Sequence, residues 1–151
     1  MRNTNDDFAL IMDGSHYWNW RPDWDIAQKV YEQFPDAYSV LAPFAYAYLE
    51  ELIRSTTSEY GMSLLDNDGN PKKRKVGIKL ITLAINENSS NTDYVNYLGK
   101  IKSYFISSKP QDKGRNRNNV VHGYMHASYW DKDSFEQLIH DIAALYKYSG
   151  F

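Results

Sequence analysis

Six consecutive residues, from Arg117 to His122, combine side-chain types that could cleave a phosphodiester bond. Cleaving RNA without a metal requires deprotonation of the 2′-hydroxyl, protonation of the leaving 5′-oxygen and positive charge to stabilise the phosphorane. A histidine titrates near neutrality, so His122 can act as general acid or general base. An arginine donates to phosphate in a fork and a neighbouring amide can orient the phosphate, which assigns these roles to Arg117 and Asn118.

Helical spacing limits how these three side chains can meet. Asn118 and His122 are four residues apart and share a helix face, whereas Arg117 and His122 are separated by roughly 140° around the axis. Arg117 therefore reaches His122 only if its long side chain wraps round the helix, or if the two come from facing helices of different subunits. Gly123 predicts that the helix ends directly after His122 and leaves the imidazole at an exposed end.

The same run also allows a purely structural interpretation. It could be a polar helix end in which His122 caps a carbonyl group and Arg117 forms a surface ion pair, with Val120 and Val121 anchoring the segment in the core. We favour function because a basic segment precedes the run and supplies cations suited to an RNA backbone. The residues predicted to bind RNA are Lys102, Lys109, Lys113 and Arg115.

Charge is segregated along the chain, although the net charge is only −2. Residues 1–70 hold 4 basic and 12 acidic side chains, whereas residues 71–117 hold 11 basic and 3 acidic ones. A strongly positive middle segment is a plausible surface for a polyanion. The alternative is that the acidic segment neutralises the basic one within or between subunits. The sequence also leaves open whether the basic loop Lys72–Lys75 contacts RNA or a protein partner.

Composition and spacing exclude several other classes of site. The 151 residues contain no cysteine, which excludes disulfides and thiolate metal sites. No apolar stretch approaches the roughly 20 residues of a membrane helix and the N-terminus lacks a signal-peptide layout, so we expect a cytoplasmic protein with no membrane contact. Asp66–Asn70 departs from the spacing of a calcium loop, and His122 and His126 have no evident third ligand. We predict no metal and no cofactor.

The elements that must position the run are helices. Apolar periodicity predicts five of them, at 22–34, 40–53, 77–87, 91–107 and from 133 to 146. These helices, joined by short loops, predict an all-α fold, an antiparallel bundle of about five helices forming one domain over 1–151. Residues 8–12 fit either a strand or a helix. The aromatic residues that follow are expected in the core or a dimer contact rather than stacked on bases, and they are Tyr17, Trp18, Trp20 and Trp24.

The helix at 40–53 has the clearest pattern, an apolar stripe from Val40 to Ile53 over about five turns. Pro43 is tolerable if it lies in the first turn, where its missing N–H has no partner to lose. Glu50 and Arg54 are spaced for an i, i+4 ion pair. Glu50 or its neighbour Glu51 could instead contact the run at 117–122, although a solvated glutamate is the default.

The last helix is predicted to begin near Asp133. Glu136 follows three residues later, and the two acidic residues together predict an acidic capping box at the helix N-terminus. The helix then carries its apolar residues at helical spacing as far as Tyr146.

The run at 117–122 resembles the signature of HEPN domains, whose ribonuclease members carry Arg-x4–6-His with Asn, Asp or His usually following the arginine. Arg117, Asn118 and His122 match this pattern with four intervening residues, and Arg115 would satisfy the looser spacing. Tyr124 extends the match to Arg-x4-His-x-Tyr, which is similar to HEPN toxins paired with a nucleotidyltransferase antitoxin. Residues 1–35, an N-terminal extension, and the linker 63–76 do not match that toxin subgroup.

The resemblance implies a helical bundle that forms a homodimer, with two motifs facing each other in one composite active site. It also implies metal-independent RNA cleavage that leaves a 2′,3′-cyclic phosphate, in a toxin or a phage-defence effector. Tyr124 would then line the site or accept adenylate groups from the antitoxin. The alternatives are a non-catalytic HEPN-like module that binds nucleotide, RNA or a protein partner, and a helical scaffold in which the run is a coincidence.

Overall fold

The protein is all-helical, as the sequence predicts. The computed structural model describes residues 3–16, 19–61, 63, 65–106, 113–122 and 126–151. Over these ranges it contains seven α-helices and no strand beyond one isolated bridge between Leu65 and Pro71. The helices are α1 (Thr4–Asp13), α2 (Arg21–Gln33), α3 (Tyr38–Ser55), α4 (Ile78–Glu87), α5 (Thr92–Ile101), α6 (Arg117–Val121) and α7 (Lys132–Ala144). Short 3-10 turns lie at Pro35–Ala37, Lys102–Phe105, Ala127–Tyr129 and Tyr146–Tyr148.

Helix α3 forms the centre of the bundle and packs against α4, α6 and α7. Its 18 residues confirm the predicted helix of about five turns. Ala45, Leu49 and Leu52 are fully buried on its inner face. The predicted stripe is wrong at its start, because Val40 is 74% exposed. The helix begins at Tyr38, which moves Pro43 out of the first turn and into the second, on the exposed side.

The N-terminal segment is a helix rather than a strand. Phe8 and Ile11 of α1 are almost fully buried, and the helix packs against α2 and α7. Trp24 is 1% exposed and its ring meets Tyr48 of α3 edge to face, as does the ring of Trp20. The prediction places these tryptophans in the core or in a dimer contact, and Trp24 lies in the core with Trp20 packed against it. Helices α1 and α2 share this hydrophobic core with the remaining helices. Tyr17 and Trp18 lie outside the described residues.

Helix α7 begins two residues earlier than its acidic pattern suggests. The N-cap is Asp131, whose extended backbone lets its side chain accept a hydrogen bond from the Ser134 amide at 2.7 Å. The predicted capping box of Asp133 and Glu136 is therefore wrong. Glu136 instead accepts a hydrogen bond from the Tyr31 hydroxyl of α2 at 2.5 Å.

Helices α4 and α5 confirm the predicted hairpin at 77–87 and 91–107. The hairpin packs against α3 with Leu80, Ile81 and Leu98 buried. Its second helix ends at Ile101 and continues as the 3-10 turn Lys102–Phe105, which packs against α6. Across the described part of the chain, no helix combines the length and the apolar character needed to cross a bilayer.

Candidate active site

The run at 117–122 forms a short helix at the edge of the bundle. Helix α6 has five residues and ends at Val121, one residue before the predicted end, so that His122 lies in the turn beyond it. Val120 is 4% exposed and anchors the segment in the core. Val121 is 43% exposed, which corrects the expectation that both valines are anchors. Gly123 lies outside the described residues.

Arg117 and His122 contact each other within one chain. Nη1 of Arg117 lies 3.2 Å from Nε2 of His122 and 3.3 Å from Oδ1 of Asn118. Within one chain the long arginine side chain therefore wraps round to the imidazole, as one of the two predicted arrangements requires. The His122 amide still donates to the Asn118 carbonyl at 3.3 Å, the i to i−4 bond of a helix end. Of the two candidate arginines of the motif, Arg117 is the one that lies against the imidazole, whereas Arg115 lies against Ser134.

A largely buried ion pair holds Arg117 in this orientation. Its Nε donates to Oε2 of Glu50 in α3 at 3.0 Å, and the two side chains are only 14% and 12% exposed. The expected Glu50–Arg54 pair is wrong, because Arg54 is bound instead by Glu51 at 3.0 Å. The sequence leaves open whether Glu50 or Glu51 contacts the run at 117–122, and it is Glu50 that does so.

Glu50 also binds the loop that precedes α4. Its second oxygen, Oε1, accepts a hydrogen bond from the backbone amide of Gly77 at 2.8 Å. Gly77 is buried and has a φ of 57°, a left-handed conformation that a side chain would strain. One carboxylate therefore joins α3, the start of α4 and the guanidinium of Arg117.

The segment before α6 is fixed by residues that sequence reasoning missed. Asn116 is 2% exposed, and its side chain accepts from the Asn118 amide at 2.8 Å and donates to the Ile106 carbonyl at 2.7 Å. Tyr46 of α3 donates to the carbonyl of Gly114 at 2.9 Å. An asparagine directly before a helical run is a recognisable N-cap signal, so Asn116 could have been found. Nothing in the sequence signals the contact of Tyr46, which lies 68 residues away.

The chemistry available to the pair follows from its hydrogen bonds. Because a guanidinium only donates, Nε2 of a neutral His122 accepts from Arg117 and the ring proton lies on Nδ1. His122 itself is exposed and accessible to a substrate. Among the described residues, no hydrogen bond or ion pair involves Nη2 of Arg117, so that this donor is available to an anion.

The predicted RNA-binding cations are spread over several elements. Arg115 donates from Nε to the Ser134 hydroxyl at 3.0 Å, so that its side chain lies at the start of α7 and not at His122. Lys113 is exposed and its backbone carbonyl binds the amide of Asp131. Lys102 is exposed on the 3-10 turn that packs against α6. Lys109 and Tyr124 lie outside the described residues, so the structure places neither of them.

The histidines do not gather around a metal position in the part of the chain that is described. There, no three His, Asp or Glu side chains lie together in a way that could bind a metal ion. His126 caps the turn Ala127–Tyr129 instead, since its Nδ1 accepts from the Ser128 amide at 3.1 Å.

No protein-family model, curated protein or solved structure matches the chain. The resemblance to HEPN domains therefore rests on the residues of the run alone.

Proposed function

We propose that this chain is a metal-independent endoribonuclease of the HEPN type. The observation that carries the proposal is the 3.2 Å contact between Arg117 and His122, in which a cation oriented by Glu50 touches an exposed imidazole. A guanidinium and an imidazole at one point are the groups that RNA cleavage without a metal requires.

In the proposed reaction the substrate phosphate takes the place of the imidazole as acceptor for Nη1 of Arg117. Nε2 of His122 is then released and accepts the proton of the 2′-hydroxyl, whose oxygen attacks phosphorus. The bond from phosphorus to the 5′-oxygen breaks, and that oxygen takes a proton from an acid. The products are a 2′,3′-cyclic phosphate and a 5′-hydroxyl end, with Arg117 and Asn118 binding the non-bridging oxygens during the step.

The proposal includes a homodimer because the reaction has two proton transfers on opposite sides of phosphorus. A single imidazole on one side does not reach both the attacking and the leaving oxygen, whereas His122 of a second copy, protonated, supplies the acid. Two Arg117–His122 pairs facing each other would make this composite site, as the resemblance implies. We extend the proposal to a cytoplasmic toxin or phage-defence effector, with a nucleotidyltransferase antitoxin acting on Tyr124.

The test is cleavage of a fluorescent RNA in EDTA. We expect wild-type protein to cut, His122→Ala and Arg117→Ala each to lose at least about a hundredfold in kcat, and a substrate with a 2′-deoxy sugar at the cut position to resist cleavage. His126→Asn, which keeps the acceptor that caps its turn, and Arg21→Gln, at the exposed start of α2, are the matched controls. Unchanged cleavage by both site variants would remove His122 and Arg117 from the reaction.

The second candidate function is a non-catalytic module that binds nucleotide, RNA or a protein partner. One observation is compatible with it: the largely buried Glu50–Arg117 pair joins α3 to α6, so that Arg117 can have a structural role without any reaction. Tight RNA or nucleotide binding by a wild-type protein that does not cut RNA would support this candidate.

A further inference from the structure

The basic loop Lys72–Lys75 presents cations that the protein itself does not neutralise. Lys72 and Lys73 are exposed and Arg74 is half-buried. Within the described ranges, none of these three forms an ion pair, whereas Lys75 lies 3.8 Å from the carboxylate of Glu59. Two exposed cations and one half-buried cation therefore lie side by side without a counter-charge from the described residues.

The C-terminal end of this loop is fixed to α3. The backbone amide of Lys75 donates to both oxygens of Glu59 at 3.1 Å, and its carbonyl accepts from Nη2 of Arg54 at 2.9 Å. Arg54 is 6% exposed and Glu59 is 8% exposed, so that these contacts are buried anchors. The loop is thereby held in place at the C-terminal half of α3.

Glu50 links the chain just after the loop to the candidate active site. Glu50 accepts from the Gly77 amide with one oxygen and from Nε of Arg117 with the other, at 2.8 and 3.0 Å. Since an extended chain spans at most about 3.5 Å per residue, Arg74 lies within about 11 Å of Gly77 and Lys72 within about 18 Å. The unneutralised cations therefore lie within reach of an RNA strand that is bound at Arg117.

We propose that the basic loop binds the phosphate backbone of the RNA on one side of the cleavage point. The inference rests on the proposed function and adds to it a binding surface outside the Arg117–His122 pair. An acidic protein is the competing partner for such a loop. The composition favours RNA, because lysine is depleted in protein–protein interfaces, whereas lysine and arginine contacts to phosphate dominate nucleic-acid binding.

The first test measures binding and does not need cleavage. The full chain carrying His122→Ala is titrated into a labelled single-stranded RNA of about 15 nucleotides. Adding Lys72→Gln, Lys73→Gln and Arg74→Gln should weaken binding at least tenfold and reduce the salt slope by about 2, since each lost phosphate contact on a single strand removes about 0.7. The matched control removes the same charge at three other exposed cations, Lys29, Lys132 and Lys147, and should change affinity less than threefold.

Each outcome of this test supports or overturns RNA binding by the basic loop. Equal weakening by the loop variant and the charge-matched control would overturn the proposal, as would the absence of RNA binding by the parent protein. Displacement of the RNA by poly-glutamate at equal charge concentration would assign the loop to an acidic protein. A Lys72→Arg, Lys73→Arg variant should bind like the parent, and circular dichroism should show that all variants are folded.

The second test compares substrates of different length in the protein with an intact His122. The triple loop variant should lose at least tenfold in kcat/KM on a long RNA and less than twofold on a dinucleotide, which is too short to reach the loop. Equal losses on both substrates would contradict a binding role outside the cleavage point. If wild-type protein cuts neither substrate, the proposed function fails, and the binding comparison still decides whether the loop holds RNA.

Discussion

Glu50 is the residue on which most of the candidate site depends. Its carboxylate binds Arg117, a residue 67 positions away, and the amide of Gly77. Because both partners of the ion pair are largely buried, the loss of its charge leaves the guanidinium with only partial compensation. Glu50 touches neither His122 nor a substrate position, and we therefore regard it as a positioning residue.

We expect Glu50→Gln to lower the free energy of unfolding by about 2–3 kcal/mol, since the amide keeps only one of the two acceptors, turns its NH2 group towards the other donor and loses the charge opposite a largely buried arginine. Cleavage should fall with it, mainly in kcat. Urea denaturation and single-turnover kinetics are the measurements. Glu32→Gln is the control: its side chain is exposed on α2 and accepts only from Gln28, so that both quantities should stay within error. A stable but equally inactive Glu50→Gln protein would separate positioning from folding.

At the scale of residues, sequence spacing predicts only part of the candidate site. It allows two arrangements of Arg117 and His122, and spacing alone does not choose between them, because the contact within one chain depends on how Glu50 directs the arginine side chain. The partner of Glu50 is harder still to predict. Arg54 lies at a favourable i, i+4 distance, and only the packing of α6 on α3 shows that Arg117 takes its place.

At the scale of elements, the N-cap of α7 links helix stability to pH. Burial alone raises the pKa of Asp131, but the hydrogen bonds from Ser134 and the charges of Arg115 and Lys113 outweigh it, so that the pKa lies below its usual value. A carboxyl group with a lowered pKa in the folded state stabilises the fold above its unfolded pKa of about 3.9. That contribution is lost as the pH falls through the folded pKa.

Asp131→Asn should therefore be less stable than wild type at pH 7, by up to about 1 kcal/mol, because asparagine can cap the helix but lacks the charge. The difference should shrink as the pH is lowered from about 5 and should vanish below the folded pKa. Urea denaturation between pH 7 and 3 measures it. Asp133→Asn is the matched control and should cost only a few tenths of a kcal/mol at any pH. A larger loss of stability in Asp133→Asn than in Asp131→Asn would mean that Asp133 caps the helix, as the sequence pattern predicts.

The helices differ in how well the sequence predicts them, for physical reasons. The segments at 22–34, 40–53 and 77–87 have apolar stripes with several repeats, and the structure confirms each of them. Helix α1 has only ten residues and buries Phe8 and Ile11 against distant helices, a pattern that also fits a strand. Helix α6 has five residues, too few for a periodic signal, and it depends on Asn116 and Val120 for its place.

On the scale of the whole molecule, the core contains tyrosines that must stay neutral. Burial raises the pKa of Tyr48 and of Tyr94 to about 12, and it raises the pKa of Tyr31 and Tyr104 as well. A raised folded pKa means that the full stability is present below the unfolded pKa of about 10 and is lost as the pH rises towards the folded value.

We therefore expect stability to fall steeply between pH 10 and 12, by about 1.4 kcal/mol per pH unit for each buried tyrosine. Urea midpoints between pH 9 and 11.5 test this. Tyr48→Phe should reduce the loss of stability with pH by about 1.4 kcal/mol per pH unit. Tyr129→Phe should leave it unchanged, because Tyr129 is 67% exposed. A slope that is the same in all three proteins would mean that the core phenols do not drive alkaline unfolding.

The proposed dimer makes a quantitative prediction about mixed subunits. Wild-type chains are equilibrated with a threefold excess of chains carrying both Arg117→Ala and His122→Ala, and cleavage is measured per wild-type chain. If the site needs two intact motifs, activity should fall to about a quarter, since only one wild-type chain in four finds an intact partner in a twofold dimer. Unchanged activity would mean that each chain acts alone, and sedimentation then should show a monomer.

The packing of α1 against α7 has a consequence for synthesis on the ribosome. Phe8 and Ile11 leave the exit tunnel long before the helix that covers them has been translated, so the core closes only after α7 has emerged. The segment at 113–122 also reaches its final position only after α7 has emerged, because Arg115 binds Ser134 at the start of α7. We therefore expect a nascent chain to carry no assembled Arg117–His122 site until α7 has been translated and has left the exit tunnel.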